Sequence, residues 1–429
     1  APVVGLDAVL LTLLVIQAFG AAVVGRLRHL GLTNLGAYGI AILAAVSTRY
    51  AASTPTLVGL PSSLPFIVLF AVLVIAPKGF FAEVRDGEAS LSGRLGSERR
   101  FPGVTLLSMG AMAALLPALL TGSQLLTATT TVIFVALFSS LGLLVGLSRQ
   151  VSLCHAVFAV FGATTLSHLI HAGVPYGVAL LLGALVLVPL GAVVAIPAIR
   201  LSGLFLALAT FGFGILAESL LYNTSFVFGR SAQVVLPRPA LFTGDIGFYY
   251  FTLAVVVILV GIVEAVRVTR LGRIAQAIGD APQAVESIGI KPTTSRVMIF
   301  CLAAFIAGVA GGLLGSLVGS ITSFTFGFAN SLVWLTVLIA AGPFSLGGSV
   351  LAAVLLVAVP AVFTSETVTQ WQPVAFGVAA ILLAQAPNGL AGFVRRPDFA
   401  TLARRDAWRL DRRRTLERAA AVAAPGGAI

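Results

Sequence analysis

Apolar runs of roughly 20 residues, each long enough to cross the hydrocarbon core of a bilayer, recur along the chain. They are Val3–Val24, Leu35–Ala52, Leu60–Ala76, Val104–Thr121, Leu125–Leu147, Val151–His171, Tyr176–Ile196, Gly203–Tyr222, Phe248–Val266 and Val297–Gly319, then the shorter Ser331–Ala341, Val350–Phe363 and Pro373–Ala386. In lipid every backbone N–H and C=O must be matched inside the protein, which restricts spanning structures to helices and closed barrels. Runs this long specify helices, so the expected fold class is all-α, a polytopic transmembrane helical bundle. With 59% hydrophobic and 10% charged residues among 429, the chain cannot be a soluble globular domain. Its 45 glycines and 20 prolines predict closely packed and broken helices.

The net charge of +11 does not signal a nucleic-acid partner, because residues 395–429 hold nine Arg against four acids, next to an apolar run. A basic juxtamembrane tail is explained by the positive-inside bias and by the anionic lipid bilayer. The stretch Lys78–Arg100 has five basic and four acidic residues and reads as a linker. Together with Arg149, Arg200, Arg267–Arg296 and the tail it belongs on the cytoplasmic side, which places Asn223–Gly247 outside. Ser331–Ala341 is too short to cross alone and is expected to be a half-helix ending at the glycines of 342–348.

Internal similarity suggests a domain plan. LPFIVLFAVLVIAPKGFF (Leu64–Phe81) parallels VAFGVAAILLAQAPNGLAGF (Val374–Phe393), and a second, upstream match near Gly25 and Gly342 keeps the same order. Residues 1–83 are therefore expected to be three spans from the end of a sister half, 84–103 a cytoplasmic linker, 104–397 a complete unit and 398–429 a basic tail. The start at Ala1, inside an apolar run, is expected to be a cut through a longer polypeptide.

The long polar interruption is Arg267–Phe300. Asp280 is a candidate helix N-cap, Pro282 suits a first turn, and Gly289 followed by Pro292 ends the run. Ala284, Val285 and Ile288 share helical spacing and form a small apolar face. A short helix of this kind, held at the membrane surface, can seat in a socket on a partner; an ordinary solvated loop has the same composition.

Other residues carry less specific signals. Glu218 is the clearest acid within an apolar run, where carboxylates face a cavity or a partner. It could attract an ammonium group or pair with Arg230. Gly308, Gly311, Gly312, Gly315 and Gly319 form small-xxx-small ladders suited to helix packing. His155 adjoins Cys154, but adjacent helical positions point about 100° apart, which argues for capping or packing and against a Cys-His dyad. No convergent catalytic or metal-ligating set is visible. The chain's lysines, Lys78 and Lys291, do not follow glycine, so no G-x-x-x-x-G-K phosphate cradle is possible in this sequence.

Several ordered motifs resemble one family, the permease subunits of branched-chain amino acid, urea and amide ABC importers. VSLCHAVFAVFGA (Val151–Ala163) resembles its SLGHAAFFGIGA, with Cys154 in place of a glycine. RLSGLFLALATFGFGILAE (Arg200–Glu218) resembles R-x-x-GLYLALVTLAFAE, and GRIAQAIGDAPQAVESIGIK (Gly272–Lys291) resembles GRALRAIRDDPxAAEAMGIN, the family's coupling loop. The resemblance implies that Asp280, Ala284, Val285, Glu286, Ile288 and Gly289 dock on an ATPase, with Arg273 and Lys291 near its acids. It implies two cytoplasmic ATP-binding cassette ATPases that use ATP and Mg, a sister permease half, an external solute-binding protein, and no cofactor in this chain. The location implied is the cytoplasmic membrane of a prokaryote. A pore break at Ala340-Ala341-Gly342-Pro343 makes Gly342, with His155 and Glu218, a candidate for the solute pathway. An ion-coupled secondary transporter would require more midplane acids, and a membrane enzyme would require a nucleophile, base or metal set.

Overall fold

The computed structural model describes residues 17–26, 28–51, 59–75, 102–198, 203–224, 226–228, 233–323, 325–362, 374 and 377–378. The linker up to residue 101, the basic tail, Arg230, most of the last expected span and much of the internal repeat lie outside them.

In chain order the helices are α1 (17–24), α2 (Leu30–Ala51), α3 (Leu60–Ile75), α4 (Pro102–Ala114), α5 (Leu116–Leu119) and α6 (Ser123–Gly142), the last continuing as a π turn over Leu143–Leu147. Then come α7 (His155–His171), α8 (Tyr176–Leu185), α9 (Leu187–Ala198) and α10 (Gly203–Leu216), with a π turn at Ala217–Leu221. After strand β1 (Gln233–Val235) and a 3-10 turn at Ala240–Phe242 follow α11 (Asp245–Val268), α12 (Arg270–Asp280), α13 (Pro282–Ser287) and α14 (Pro292–Val318). Strand β2 (Ser320–Thr322) leads to α15 (Phe328–Ala341), α16 (Leu346–Ala353), a π turn at Val354–Ala358 and α17 (Val359–Val362). The two strands pair antiparallel with Val234 opposite Ile321.

Five helical stretches among the described residues are long and apolar enough to cross a membrane: Leu30–Ala51, Ser123–Leu147, Tyr176–Pro197, Asp245–Val268 and Pro292–Val318. The bundle is built on α14, whose most apolar window is 78% buried, against 6% for α2. Phe138, Phe158, Phe300 and Leu313 fill the centre where α6, α7 and α14 meet. α2 rests on α3, which joins the bundle through Phe66 and Leu69 against Gly212 of α10.

A proline breaks one expected span. Val104–Thr121 divides at Leu115, two residues before Pro117, since a proline ring displaces the carbonyl four residues earlier. That carbonyl, on Ala113, accepts from Tyr249 Oη at 2.7 Å, and the Ala114 carbonyl accepts from Tyr250 Oη at 3.1 Å. α15 has 14 residues, about 21 Å at 1.5 Å per residue, short of the hydrocarbon thickness.

Candidate functional site

The polar interruption holds two helices where the sequence predicted one. α12 is amphipathic: Leu271, Ala275 and Ile278 fall at helical spacing, and the last two are fully buried. A Cβ on Gly279 would stand 2.8 Å from Arg149 Cγ and 3.2 Å from the Leu147 carbonyl oxygen, so α12 lies on the turn that ends α6. Asp280 is not the N-cap of the short helix. It is the last residue of α12, and Ala281 occupies the cap position with no side-chain hydrogen bond. Pro282 opens α13, where its missing N–H leaves no intrahelical bond unmade.

The expected apolar face is divided. Val285 is 5% exposed and turns inward, whereas Ala284, Glu286, Ile288 and Gly289 are exposed. Val285 anchors α13 to its own protein, and among the described side chains of the helix Ala284, Glu286 and Ser287 are exposed. Gly289 has φ +80 and its N–H donates to the Glu286 carbonyl at 3.0 Å, a left-handed helix end that glycine makes without strain. Arg273 folds back to donate to the Val268 carbonyl at 2.7 Å.

Beside this loop lies the break between α15 and α16. Gly342 (φ +115) ends α15, and the next residue, Pro343, presents its carbonyl oxygen 3.2 Å from a Cβ built on Gly142 of α6. Phe344 is held by two arginines. The Arg149 guanidinium lies 5.1 Å from its ring centroid, and Arg267 Nη1 is 3.4 Å from its carbonyl oxygen and 3.2 Å from Glu264. Gly342 therefore belongs to the same end of the bundle as α12 and α13.

A second cluster forms where two interrupted helices begin. At the start of α7, Leu153 N–H donates to Thr210 Oγ1 (3.0 Å) and Ala156 N–H to Ser331 Oγ (2.9 Å), so α10 and α15 satisfy donors that no cap of α7's own reaches. Ser152 Oγ lies 3.2 Å from His155 Nδ1 and 3.4 Å from Cys154 Sγ. Cys154 and His155 are thus linked through a serine, all three are buried, and no Cys-His pair forms. Glu218, on the π turn after α10, accepts the Phe328 N–H at 2.6 Å and so caps α15. Its structural partner is a helix N-terminus 110 residues away.

The glycines of α14 divide by role. Backbone of Ala159 fills the space beside Gly311, Gly308 meets Leu187 of α9 and Gly162 of α7, and a Cβ on Gly312 would stand 2.9 Å from Leu180 Cδ1. Gly315 lies under Leu236. Gly319 is not a packing residue: at φ +84 it terminates α14, with open space where a Cβ would go.

The family described as "Branched-chain amino acid transport system / permease component" matches residues 122–384, more than half of the chain. The chain belongs to this family. A high-affinity branched-chain amino acid transport system permease protein LivM from Salmonella typhimurium is 29% identical over 281 residues, covering 59% of this chain and 66% of the relative. The protein of the same description from Escherichia coli K12 is 27% identical over the same extent. The chain thus spans about 66% of the length of these curated relatives. No solved structure matches. Membership and the apolar helices make the chain a multi-pass membrane protein.

In this permease, Thr210, Ser331, Ser152 and Phe344 were not singled out from sequence. Single hydroxyls within apolar runs give no pattern: Thr210 and Ser331 act on backbone 57 and 175 residues distant, Ser152 on the side chains of Cys154 and His155, and Phe344 is held by Arg149 and Arg267. Thr210 lies inside the RLSGLFLALATFGFGILAE motif, the one signal that could have directed attention to it.

Proposed function

We propose that this chain is the transmembrane permease subunit of an ATP-driven ABC importer and forms part of the pore for branched-chain amino acids received from an external solute-binding protein. Two cytoplasmic ATPases supply the ATP chemistry, and a sister permease half completes the pore. Residues 1–83, of which α3 packs on the bundle, are read as kin to that sister half. The supporting observation is the exposed Ala284, Ile288 and Gly289 surface at a short helix whose Val285 is buried, in a chain of this family. A push on α13 passes through α12 to the Leu147–Arg149 turn, and Arg149 and Arg267 carry it to Phe344 beside the Gly342 break. Motion at that break shifts α15, whose other end holds Glu218 and the start of α7.

Ala284→Trp tests this reading. Overfilling a close docking contact costs roughly 1–3 kcal/mol, about a 5- to 150-fold loss of association at 1.4 kcal/mol per decade. The variant should lose ATPase co-purification and leucine uptake while keeping expression and thermal stability. Gly289→Trp is a poorer probe, because φ +80 strains any side chain there. Parent-like ATPase binding and uptake by Ala284→Trp would return the loop to a solvated connection. A partner binding protein that takes urea and not leucine would reassign the solute.

A further inference from the structure

We propose that the turn Leu147–Gln150, which joins α6 to α7, is a two-state hinge. Arg149 is held left-handed in the arrangement seen here and leaves that conformation when α12 withdraws, and the Gln150 amide makes its hydrogen bonds in the second arrangement. The inference rests on the coupling reading of α13 and names the residues at which the motion is taken up.

Three irregularities fall within residues 143–150. The turn is entered through the π turn Leu143–Leu147, whose i→i−5 bonds a helix can exchange for i→i−4 bonds by a one-residue shift. Arg149 has φ +54, one of two non-glycine residues with positive φ among those described. A side chain crowds the following carbonyl in that region, which weights an unconstrained residue against it by about 5- to 30-fold. Gln150 is 2% exposed, yet neither its Nε2 nor its Oε1 has a hydrogen-bond partner among the described residues. Buried polar atoms are rarely left unmatched, and each exception calls for a reason.

The bonding around the amide locates the imbalance. The Leu144 carbonyl accepts three donors: the Ser148 N–H, the Ser148 hydroxyl at 3.0 Å and the Gln150 N–H at 3.1 Å. A carbonyl oxygen offers two lone pairs, so one acceptor is crowded while an amide six residues on has no bond at all. Passing the Ser148 hydroxyl to Gln150 Oε1 would relieve both, and that exchange requires the backbone between them, at Arg149, to turn.

Contacts from two distant elements hold the strained form. The Arg149 stem lies against α12, where a Cβ on Gly279 would stand 2.8 Å from Arg149 Cγ, and the guanidinium lies 5.1 Å from the Phe344 ring centroid. A Cβ on Gly146 would stand 2.5 Å from the Pro343 carbonyl oxygen, so the α15–α16 break is seated on the π turn itself. Strained backbone persists only where its surroundings over-determine it. Here the surroundings are α12 on one side and the break on the other. Withdrawal of α12 removes one of these holds, and movement of the loop is converted into a change of backbone angle at Arg149.

The test uses the complete transporter in proteoliposomes with its ATPases and binding protein, and reads uptake of radiolabelled leucine beside the thermal unfolding midpoint of the complex. Arg149→Gly and Arg149→Ala both lack the guanidinium and its stem, and differ in that glycine takes φ +54 without a steric penalty. Arg149→Gly should therefore unfold at the higher temperature of the two and yet take up leucine about fivefold or more slowly than Arg149→Ala, because it stays in the first arrangement. Gln150→Met, of similar length without the amide, should raise the midpoint above the parent and lower uptake by about fivefold or more. ATPase co-purification should be parent-like in all three, since α13 is untouched. Uptake by Arg149→Gly equal to or above that of Arg149→Ala, or parent-like uptake by Gln150→Met, would overturn the hinge. A Gln150→Met midpoint below the parent would show an amide already bonded in the first arrangement and overturn it as well. If an Arg149 variant does not assemble, Gln150→Met decides by the same two readouts. A parent permease that retains no ATPase overturns the coupling reading and the hinge with it, whereas an ATPase-bound, leucine-transporting parent with any of the contrary variant results overturns the hinge alone.

Discussion

Gly311→Ala isolates what holds the centre of the bundle. A methyl at this position would overlap the carbonyl oxygen, Cα and carbonyl carbon of Ala159, so the obstacle is backbone and cannot rotate away. Restoring an ordinary C···O separation of roughly 3.3 Å requires α7 and α14 to part by about 1 Å. A gap of that size forfeits up to about half of each dispersion well, and some 30–50 loosened atom pairs at about 0.15 kcal/mol amount to roughly 2–4 kcal/mol. Alanine's better helix propensity returns about 1 kcal/mol, leaving a net loss of about 1–3 kcal/mol. The matched control is Gly177→Ala on α8, where a Cβ meets open space and the same propensity gain stands alone. In detergent, thermal unfolding followed by loss of the monodisperse elution peak should show Gly311→Ala lower by about 2–6 °C, with Gly177→Ala at or above the parent. Adding Ala159→Gly should not rescue Gly311→Ala, because the overlapped atoms are backbone. Equal midpoints for Gly311→Ala and Gly177→Ala would refute the close α7–α14 crossing.

Ser331→Ala removes the acceptor of the Ala156 N–H in a buried setting and should cost about 1–3 kcal/mol of stability, while Ser331→Thr, which keeps the hydroxyl, should cost less by the same unfolding assay. Arg267→Ala frees the Phe344 carbonyl and leaves Glu264 without its ion-pair partner; ATP hydrolysis should continue while leucine uptake falls, and tight coupling in this variant would exclude the Phe344 route. Gly319→Ala puts a side chain at φ +84 and should destabilise by roughly 1–2 kcal/mol without altering ATPase binding. A cysteine at Ser287 should resist an impermeant thiol reagent applied outside intact cells, and external labelling would invert the proposed orientation.

The class of this protein was legible in one dimension, because lipid demands internally matched backbone and so ties an apolar run of sufficient length to a helix. The loop at 267–296 and the half-helix near Gly342 were visible for the same reason, as places where polarity or length departs from that rule. Within the loop, periodicity grouped Ala284, Val285 and Ile288, yet only packing against α12 and α14 decided that Val285 turns in while the other two remain exposed. The five glycines of α14 are equivalent in sequence. The positions of α7 and α9 make Gly308 and Gly311 contacts, and the left-handed turn after Val318 makes Gly319 a terminator. Glu218 was identifiable as a costly acid, but its partner is a backbone N–H at Phe328, a group that every residue except proline carries and that no sequence pattern marks. Composition and hydropathy are sums over neighbours along the chain, whereas the caps, the glycine crossings and the unmatched Gln150 amide depend on which distant elements approach within hydrogen-bonding distance, and that was decided by the tertiary structure.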